Sequence, residues 1–304
     1  NARLHAVAST SNERAVAFAG QYNAPHMFGS YEGLLTCPNL DVVYIATPHH
    51  GHAENTITLL EKGIPVLCEK PLAINGQQVA GMIAAARRHD TYLMEALWTR
   101  FLPKMQKILE LIEGGAIGRI QAVKADFGFQ KDFDPTNRVF DPKQGGGSLL
   151  DVGIYPILLS QLLLGKPVTV KALARIGPTH VDETCAMLFQ YADGELAMLD
   201  SAITTVTPCE ALIFGTEGTL KIHARWHEPG GDLTLTRSDG TEPQQFSFER
   251  EYIGYRYEAQ AVMEDLAAGR TENALIPLQF SQDVMDLMDN VRREIGLRYE
   301  GIDV

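Results

Sequence analysis

From residue 4 to residue 95 the chain alternates short apolar runs with segments of helical spacing, and this rhythm constrains the fold more than any other feature. Residues 4–9 (LHAVAS), 41–47 (DVVYIAT), 65–69 (PVLCE) and 91–95 (TYLME) read as strands. Between them NERAVAFAGQY, AENTITLLEKG and GQQVAGMIAAARRH carry apolar residues three and four apart, the period of a helix. Strands that are apolar on both faces and alternate with helices form a parallel sheet covered on each side. The fold class predicted for this part is α/β, a Rossmann-type doubly wound parallel sheet.

The rhythm breaks near residues 97–102, which divides the chain into 1–98 and 99–304. A helix is predicted over 102–113, a strand in GRIQAVKADFGF, and a second helix from GGGSLLDVGIYPILLSQLL after a polar loop at 132–144. Strand-like runs at 168–176, 183–191, 195–203, 209–214 and 219–223 are punctuated by turn signals such as Asp193-Gly194, and helices at 255–268 and 278–296 close the chain. The second part is therefore predicted to be α+β, with a large open, mostly antiparallel sheet. Helices on one face leave the other bare, carrying Leu188, Phe189, Leu196, Met198 or their alternates, so a face-to-face homodimer is expected.

Composition excludes several classes of partner. The 304 residues are 45 % hydrophobic and 21 % charged, enough for two cored domains of ordinary make-up. A net charge of −12 argues against nucleic-acid binding, which needs a basic surface. No apolar run approaches the ~18 residues of a spanning helix, and NARLHAVAST lacks the basic and apolar regions of a secretion signal. A cytoplasmic protein without a membrane partner is expected. Cys37, Cys68, Cys185 and Cys209 form no CxxC pair and read as reduced and mostly buried.

Chemistry gathers in two stretches. LCEKPLAIN places Glu69, Lys70 and Pro71 at the carboxyl end of a buried strand, where open parallel sheets bind ligands. Pro71 holds Lys70 extended and permits a cis bond; a lysine that simply reaches solvent is the plainer reading. In GGGSLLDVGIYP, Asp151 and Tyr155 are four positions apart and share a helix face, with Gly153 between them allowing a close approach. A nearby cation such as Lys70 would favour the phenolate and fit the tyrosine for proton transfer. Core hydrogen bonding of Tyr and Asp, with the glycines as a tight turn, is the alternative.

A strand-end EKP followed by GGGxxxDxGxY resembles the Gfo/Idh/MocA oxidoreductase family, and MEALWTRFLP (94–103) is similar to its dimeric dihydrodiol and NADP-dependent D-xylose dehydrogenase branch. The likeness runs from residue 1 to GLRYEG. It implies a dinucleotide-binding domain over 1–98, a substrate-binding and dimerisation domain over 99–304, and hydride transfer between nicotinamide and a carbinol carbon of a sugar or cyclic trans-diol. By position Lys70 and Tyr155 are the implied catalytic pair with Asp151 orienting them, while Thr47, Pro48, His52, Glu69 and Lys70 adjoin the cofactor. Trp98, Arg100, Phe127, Phe133 and Arg138 are candidates for the substrate pocket or for ordinary packing. A non-catalytic, dinucleotide- and sugar-binding regulator is the second functional class.

Family members begin with a strand and a GxGxxG turn, neither of which is in this sequence, so a strand, turn and helix of about 25 residues are expected to precede it. Cofactor preference is read from STSNER: hydroxyls at Ser9, Thr10 and Ser11 and the Arg14 guanidinium suit a 2′-phosphate, where NAD sites place an acid. NADP(H) is the expected cofactor, with NAD(H) as the alternative; a plain helix cap is the other reading of the segment. His49, His50 and His52, or His223 and His227, lack a third metal ligand at suitable spacing, and no metal is expected.

Overall fold

The computed structural model describes residues 2–250 and 253–303. Strand β1 (Ala6–Ala8) runs into helix α1 (Asn12–Tyr22), which begins where Ser11 turns extended and accepts the Arg14 N–H, and ends on Asn23 in the left-handed region. β2 (His26–Phe28) pairs with β1 in parallel. It went unread in the sequence because three residues are too few to show a period. β3 (Val43–Ile45), β4 (Val66–Glu69) and β5 (Leu93–Ala96) form a second parallel sheet, crossed over by α2 (His52–Leu60) and α3 (Gly76–Arg88). Val66, Cys68, Leu93 and Met94 are wholly enclosed, as a sheet covered on both faces requires. Among the described residues no ladder joins β1 to β3.

After a 3₁₀ turn at Trp98–Phe101, α4 (Pro103–Glu113) opens with proline at its first position, where no N–H is needed. The remaining strands are β6 (Ile120–Gly128), β7 (Thr169–Ile176), β8 (Asp182–Gln190), β9 (Leu196–Ala202), β10 (Ala211–Gly215), β11 (Gly218–Ile222), β12 (Gly231–Arg237) and β13 (Gln244–Phe248). They form one sheet in the order β13-β12-β11-β10-β6-β9-β8-β7, antiparallel except between β6 and β9. β13 is the edge strand and is rich in Gln and Ser, while β12 alternates only Leu233 and Leu235 with Asp and Thr, and neither was read as a strand.

A π turn at Leu149–Gly153 continues into α5 (Ile154–Leu164), which crosses the large sheet against β6 and β9. The expectation that no stretch is long and apolar enough to span a bilayer needs correction: Pro142–Leu164 is, by length and composition. Most of it is buried inside the fold, and its apolar character is that of a core helix. α6 (Arg256–Ala267) packs on the 98–101 turn, and α7 (Leu278–Ile295) packs against β7, α3 and α5, so it ties the two halves together. The buried Arg292 of α7 donates to Ile74 O at 3.0 Å and Asp289 Oδ1 at 2.9 Å, and Asp289 accepts the Gly76 N–H at 2.8 Å. The loop after β4 is held by that network.

Period two decides which side chains face out. Cys185, Met187 and Phe189 point toward α5, whereas Leu188, Leu196 and Met198 line the opposite face beside Leu173, which is 82 % exposed. Phe189 is thus a core residue and not part of the open face. On the helix side, Asp182 accepts from Ser148 Oγ and from Leu149 N, both at 2.7 Å, and so anchors the start of the π turn. Burial pushes its carboxyl up from 3.8 to about 6.

Asp182→Ala is expected to cost about 2–4 kcal/mol, because two enclosed donors lose their acceptor; urea unfolding measures it. A carboxyl whose folded pKa exceeds its unfolded one binds more protons when folded, so its contribution to stability grows as pH falls from 7 to 5. The same titration on Asp182→Asn should show a smaller gain over that pH interval than the wild type.

Candidate functional site

Lys70 leaves the end of β4 through a cis peptide bond to Pro71 and points across to the π turn. Its Nζ donates to the main-chain carbonyl of Asp151 at 2.6 Å and lies 3.4 Å from Asp151 Oδ1. The same ammonium stands 5.3 Å above the centre of the Tyr155 ring. Arg138 completes the cluster, with Nη1 3.0 Å from Asp151 Oδ1. Burial disfavours the Asp151 carboxylate, but Lys70, Arg138 and His49 outweigh it and hold the pKa down at about 2. The carboxylate therefore stays charged at any physiological pH.

Local sequence explains why a lysine can take a helix carbonyl. In an α-helix the carbonyl of residue 151 faces the N–H of Tyr155, and in a π turn that of residue 156. Residue 156 is proline and has no N–H. The widened turn and Pro156 together leave the Asp151 carbonyl open to Lys70. The glycine run upstream is a packing device: Gly147 has φ +114°, and a Cβ there would lie 2.2 Å from Asp182 Oδ1. The buried His49 ring meets Gly145 O through Nδ1 at 3.0 Å, and Tyr299 donates to Gly146 O at 2.5 Å, so both halves of the chain grip the run. Gly153 admits Ser201 of β9 and not a ligand, since a Cβ there would stand 3.1 Å from Ser201 Oγ.

Tyr155 is buried, and its hydroxyl oxygen accepts from Trp98 Nε1 at 3.1 Å. Burial drives its pKa well up, opposed by the Trp98 hydrogen bond. The sequence-based expectation of a phenolate favoured by Lys70 is not met in this state, because the ammonium is turned to Asp151 and the hydroxyl keeps its proton. Phe127 leans on Tyr155 with centroids 5.4 Å apart and stacks on His227 at 3.8 Å. The His227 ring lies 5.2 Å from Tyr155, and burial brings its pKa down to about 3, so it is neutral. Its Nδ1 is enclosed with no hydrogen-bond partner among the described residues. Trp98 also stacks on Tyr255 of the loop before α6, at 4.9 Å.

The structure thus brings together Lys70, Asp151, Tyr155, Trp98, Phe127 and Arg138. Arg100 is not among them: its Nε and Nη1 are enclosed with no hydrogen-bond partner among the described residues, and Phe133 is half-exposed against Phe140 at 5.2 Å. His227 and Tyr255 were not picked out as site residues from the sequence, since they come from distant loops with no motif. The sequence weighed His227 only as a metal ligand.

Along the carboxyl ends of the parallel strands lie the residues that the sequence marked for the cofactor. Beyond β1, Arg14 donates to Thr10 Oγ1 at 2.7 Å, Ser9 Oγ accepts the Ser11 N–H at 3.3 Å, and the one nearby acid, Glu13, is engaged by the Ser11 hydroxyl at 3.0 Å. Hydroxyls and a guanidinium remain to meet a phosphate. Thr47 Oγ1, after β3, is buried and unpartnered among the described residues, and Pro48 leads into the His49–Gly51 turn. Glu69 accepts from the Tyr44 hydroxyl and from the Lys70 N–H. His52 is fully enclosed, and its ring nitrogens lie 2.8 Å from Pro71 O and from Thr47 O. It staples the ends of β3 and β4, and its nitrogens are not free for a cofactor. Only an imidazolium donates to both carbonyls; burial pulls the other way and lowers its pKa.

Comparison with known proteins agrees with this architecture. Residues 1–97 match the oxidoreductase family with an NAD-binding Rossmann fold, and residues 105–221 match the GFO/IDH/MocA C-terminal domain. Trans-1,2-dihydrobenzene-1,2-diol dehydrogenase of Mus musculus is 35 % identical over 299 residues, 97 % of this chain and 89 % of that protein. The Danio rerio protein of the same name is 36 % identical over 304 residues, again 97 % and 89 %. Among solved structures, a 3-ketoreductase from Actinomadura kijaniata in complex with NADP and TDP-benzene superposes with a TM-score of 0.86 at 25 % identity, covering 96 % of this chain and 90 % of that one. Aldose-aldose oxidoreductase from Caulobacter crescentus, complexed with glycerol, gives 0.87 at 25 % identity, covering 96 % and 89 %. The chain belongs to the Gfo/Idh/MocA family of oxidoreductases.

Proposed function

We propose that the protein transfers hydride, with NADP(H) as cofactor, between nicotinamide and a carbinol carbon of a sugar or cyclic trans-diol. The observation that carries this reading is a buried, protonated Tyr155 hydroxyl beside the Lys70–Asp151–Arg138 cluster, at the strand ends where the residues marked for the cofactor lie. When bound, the nicotinamide supplies or accepts the hydride. In the reductive direction the substrate carbonyl oxygen lies between the Tyr155 O–H and the Lys70 ammonium. Tyr155 gives that oxygen its proton as the carbon becomes a carbinol, and the Trp98 N–H and Lys70 stabilise the tyrosinate left behind. Oxidation runs the same proton back. Asp151, held ionised, keeps the Lys70 side chain in place through its carbonyl and carboxylate without offering a competing proton.

The walls suit the substrate class. Phe127, Trp98 and the neutral His227 surround Tyr155 with flat rings, a lining whose apolar character suits the C–H surfaces of sugar rings and dihydrodiols. The names of the relatives, diol dehydrogenases and sugar oxidoreductases, point the same way. Two subunits are proposed to stack their open sheets through Leu173, Leu188, Leu196 and Met198, since an exposed apolar patch of this kind is rarely left bare.

Tyr155→Phe is expected to lower turnover by ~10² or more while NADPH affinity, followed by fluorescence titration, stays near wild type. Full activity with aldoses and trans-diols in that variant would remove Tyr155 from the chemistry. For cofactor choice, Ser9→Asp is expected to weaken NADPH by ~1.5–3 kcal/mol through like-charge repulsion and lost hydrogen bonds. The ratio of kcat/KM for NADPH and NADH reads it, and an unchanged ratio counts against the 2′-phosphate site. Light scattering at micromolar concentration should give twice the chain mass, and Leu188→Glu should shift it toward the monomer; a monomeric wild type contradicts the stacked sheets.

A further inference from the structure

Away from this site, the β1–β2 sheet gathers three metal-binding side chains. His5 precedes β1 and His26 opens β2. The parallel ladder sets Ala6 beside His26, and the His26 N–H bonds His5 O at 3.3 Å, so the two rings meet with centroids 4.7 Å apart. Cys37 follows the 3₁₀ turn Glu32–Thr36, fixed there by its N–H to Leu34 O at 3.0 Å. One nitrogen from each histidine and the Cys37 sulfur lie within 4.8 Å of one another, all half-buried. Tetrahedral zinc, with Zn–N near 2.0–2.1 Å and Zn–S near 2.3 Å, needs its ligands about 3.5 Å apart, a closure within reach of side-chain rotation.

A second observation favours a metal over a chance cluster. His5 Nε2 lies 3.0 Å from Pro38 O, and a neutral imidazole that donates there presents a lone pair on Nδ1. Metal-ligating histidines are usually oriented in this way, through the other ring nitrogen to a carbonyl or carboxylate. The Cys37 thiol lies 3.8 Å from Pro38 O, and a bound metal would take the sulfur as thiolate, its proton passing to solvent. The donor set, two imidazoles and one sulfur, suits zinc or a similar borderline divalent ion and not magnesium or calcium.

We propose that His5, His26 and Cys37 bind a zinc-class divalent ion, with water or another ligand at the fourth position. His5 precedes β1 and Ser9 follows it, so the site lies at the end of the strand opposite Ser9, Thr10 and Arg14. It serves to cross-link β1, β2 and the segment leading to β3 and takes no part in hydride transfer.

The test is a titration of the whole chain with Co2+ and then Zn2+ in phosphine-reduced, chelator-free buffer. One equivalent of Co2+ should produce thiolate-to-cobalt charge-transfer absorption that one equivalent of Zn2+ abolishes, and Zn2+ should raise the thermal midpoint. Cys68, Cys185 and Cys209 are buried, so Cys37→Ser should remove the absorption, and His26→Ala should weaken Co2+ binding by more than about tenfold. Both substitutions fall on half-buried positions, so their midpoints without metal should stay close to wild type. Absence of the absorption in wild type, or its persistence in Cys37→Ser, overturns the proposal.

Discussion

The contact between the Lys70 ammonium and Asp151 places a charged pair where two parts of the chain meet. One side is the end of a parallel strand, the other the mouth of a helix that lies across an antiparallel sheet. Both groups are largely removed from water, and losing either partner of a buried pair commonly costs 3–5 kcal/mol because the other charge is stranded. Arg138 raises the stake by placing a second cation on the same carboxylate oxygen. The neighbouring contacts serve this arrangement: Asp182 and Ser148 fix the start of the turn, His49 and Tyr299 grip the glycines, and Arg292 holds the loop that Lys70 enters.

Charge around the site is sorted by burial. Asp151 has cations to keep it ionised, whereas His49 and His227, enclosed without an acid strong enough to charge them, are held neutral. Glu95, wholly buried, accepts the Leu72 N–H at 2.8 Å, and burial pushes it up to about 7. The effect is a fixed field in which one ammonium and one guanidinium face one carboxylate beside a protonated tyrosine.

Much of this was legible from the residues alone. The 4–95 alternation marks the parallel strands because burial on both faces leaves long apolar runs, and period two marks the large sheet up to β11. EKP and DxGxY stood out because charged or polar groups at such positions are costly without a purpose. What stayed hidden depends on geometry that no short window contains. β2 is three residues long; β13 is a polar edge strand and β12 has only two apolar residues in alternation; Phe189 and Leu188 exchange faces with a one-residue change of register. His227 reaches Tyr155 from a loop with no motif, and His52 spends both nitrogens on main-chain carbonyls.

Pro156 has a consequence for how this site can change. Helix regularity and the position of the ammonium are in opposition at one carbonyl. Most replacements at 156 would bring in an N–H that, in the π register of this turn, could claim that oxygen, loosening the lysine while leaving the fold sound or even firmer. Selection for thermal robustness alone would drift toward such substitutions, and an engineer ranking variants by melting temperature would keep them. Position 156 is therefore a place where stability and turnover can be traded against each other without touching any group that meets the substrate.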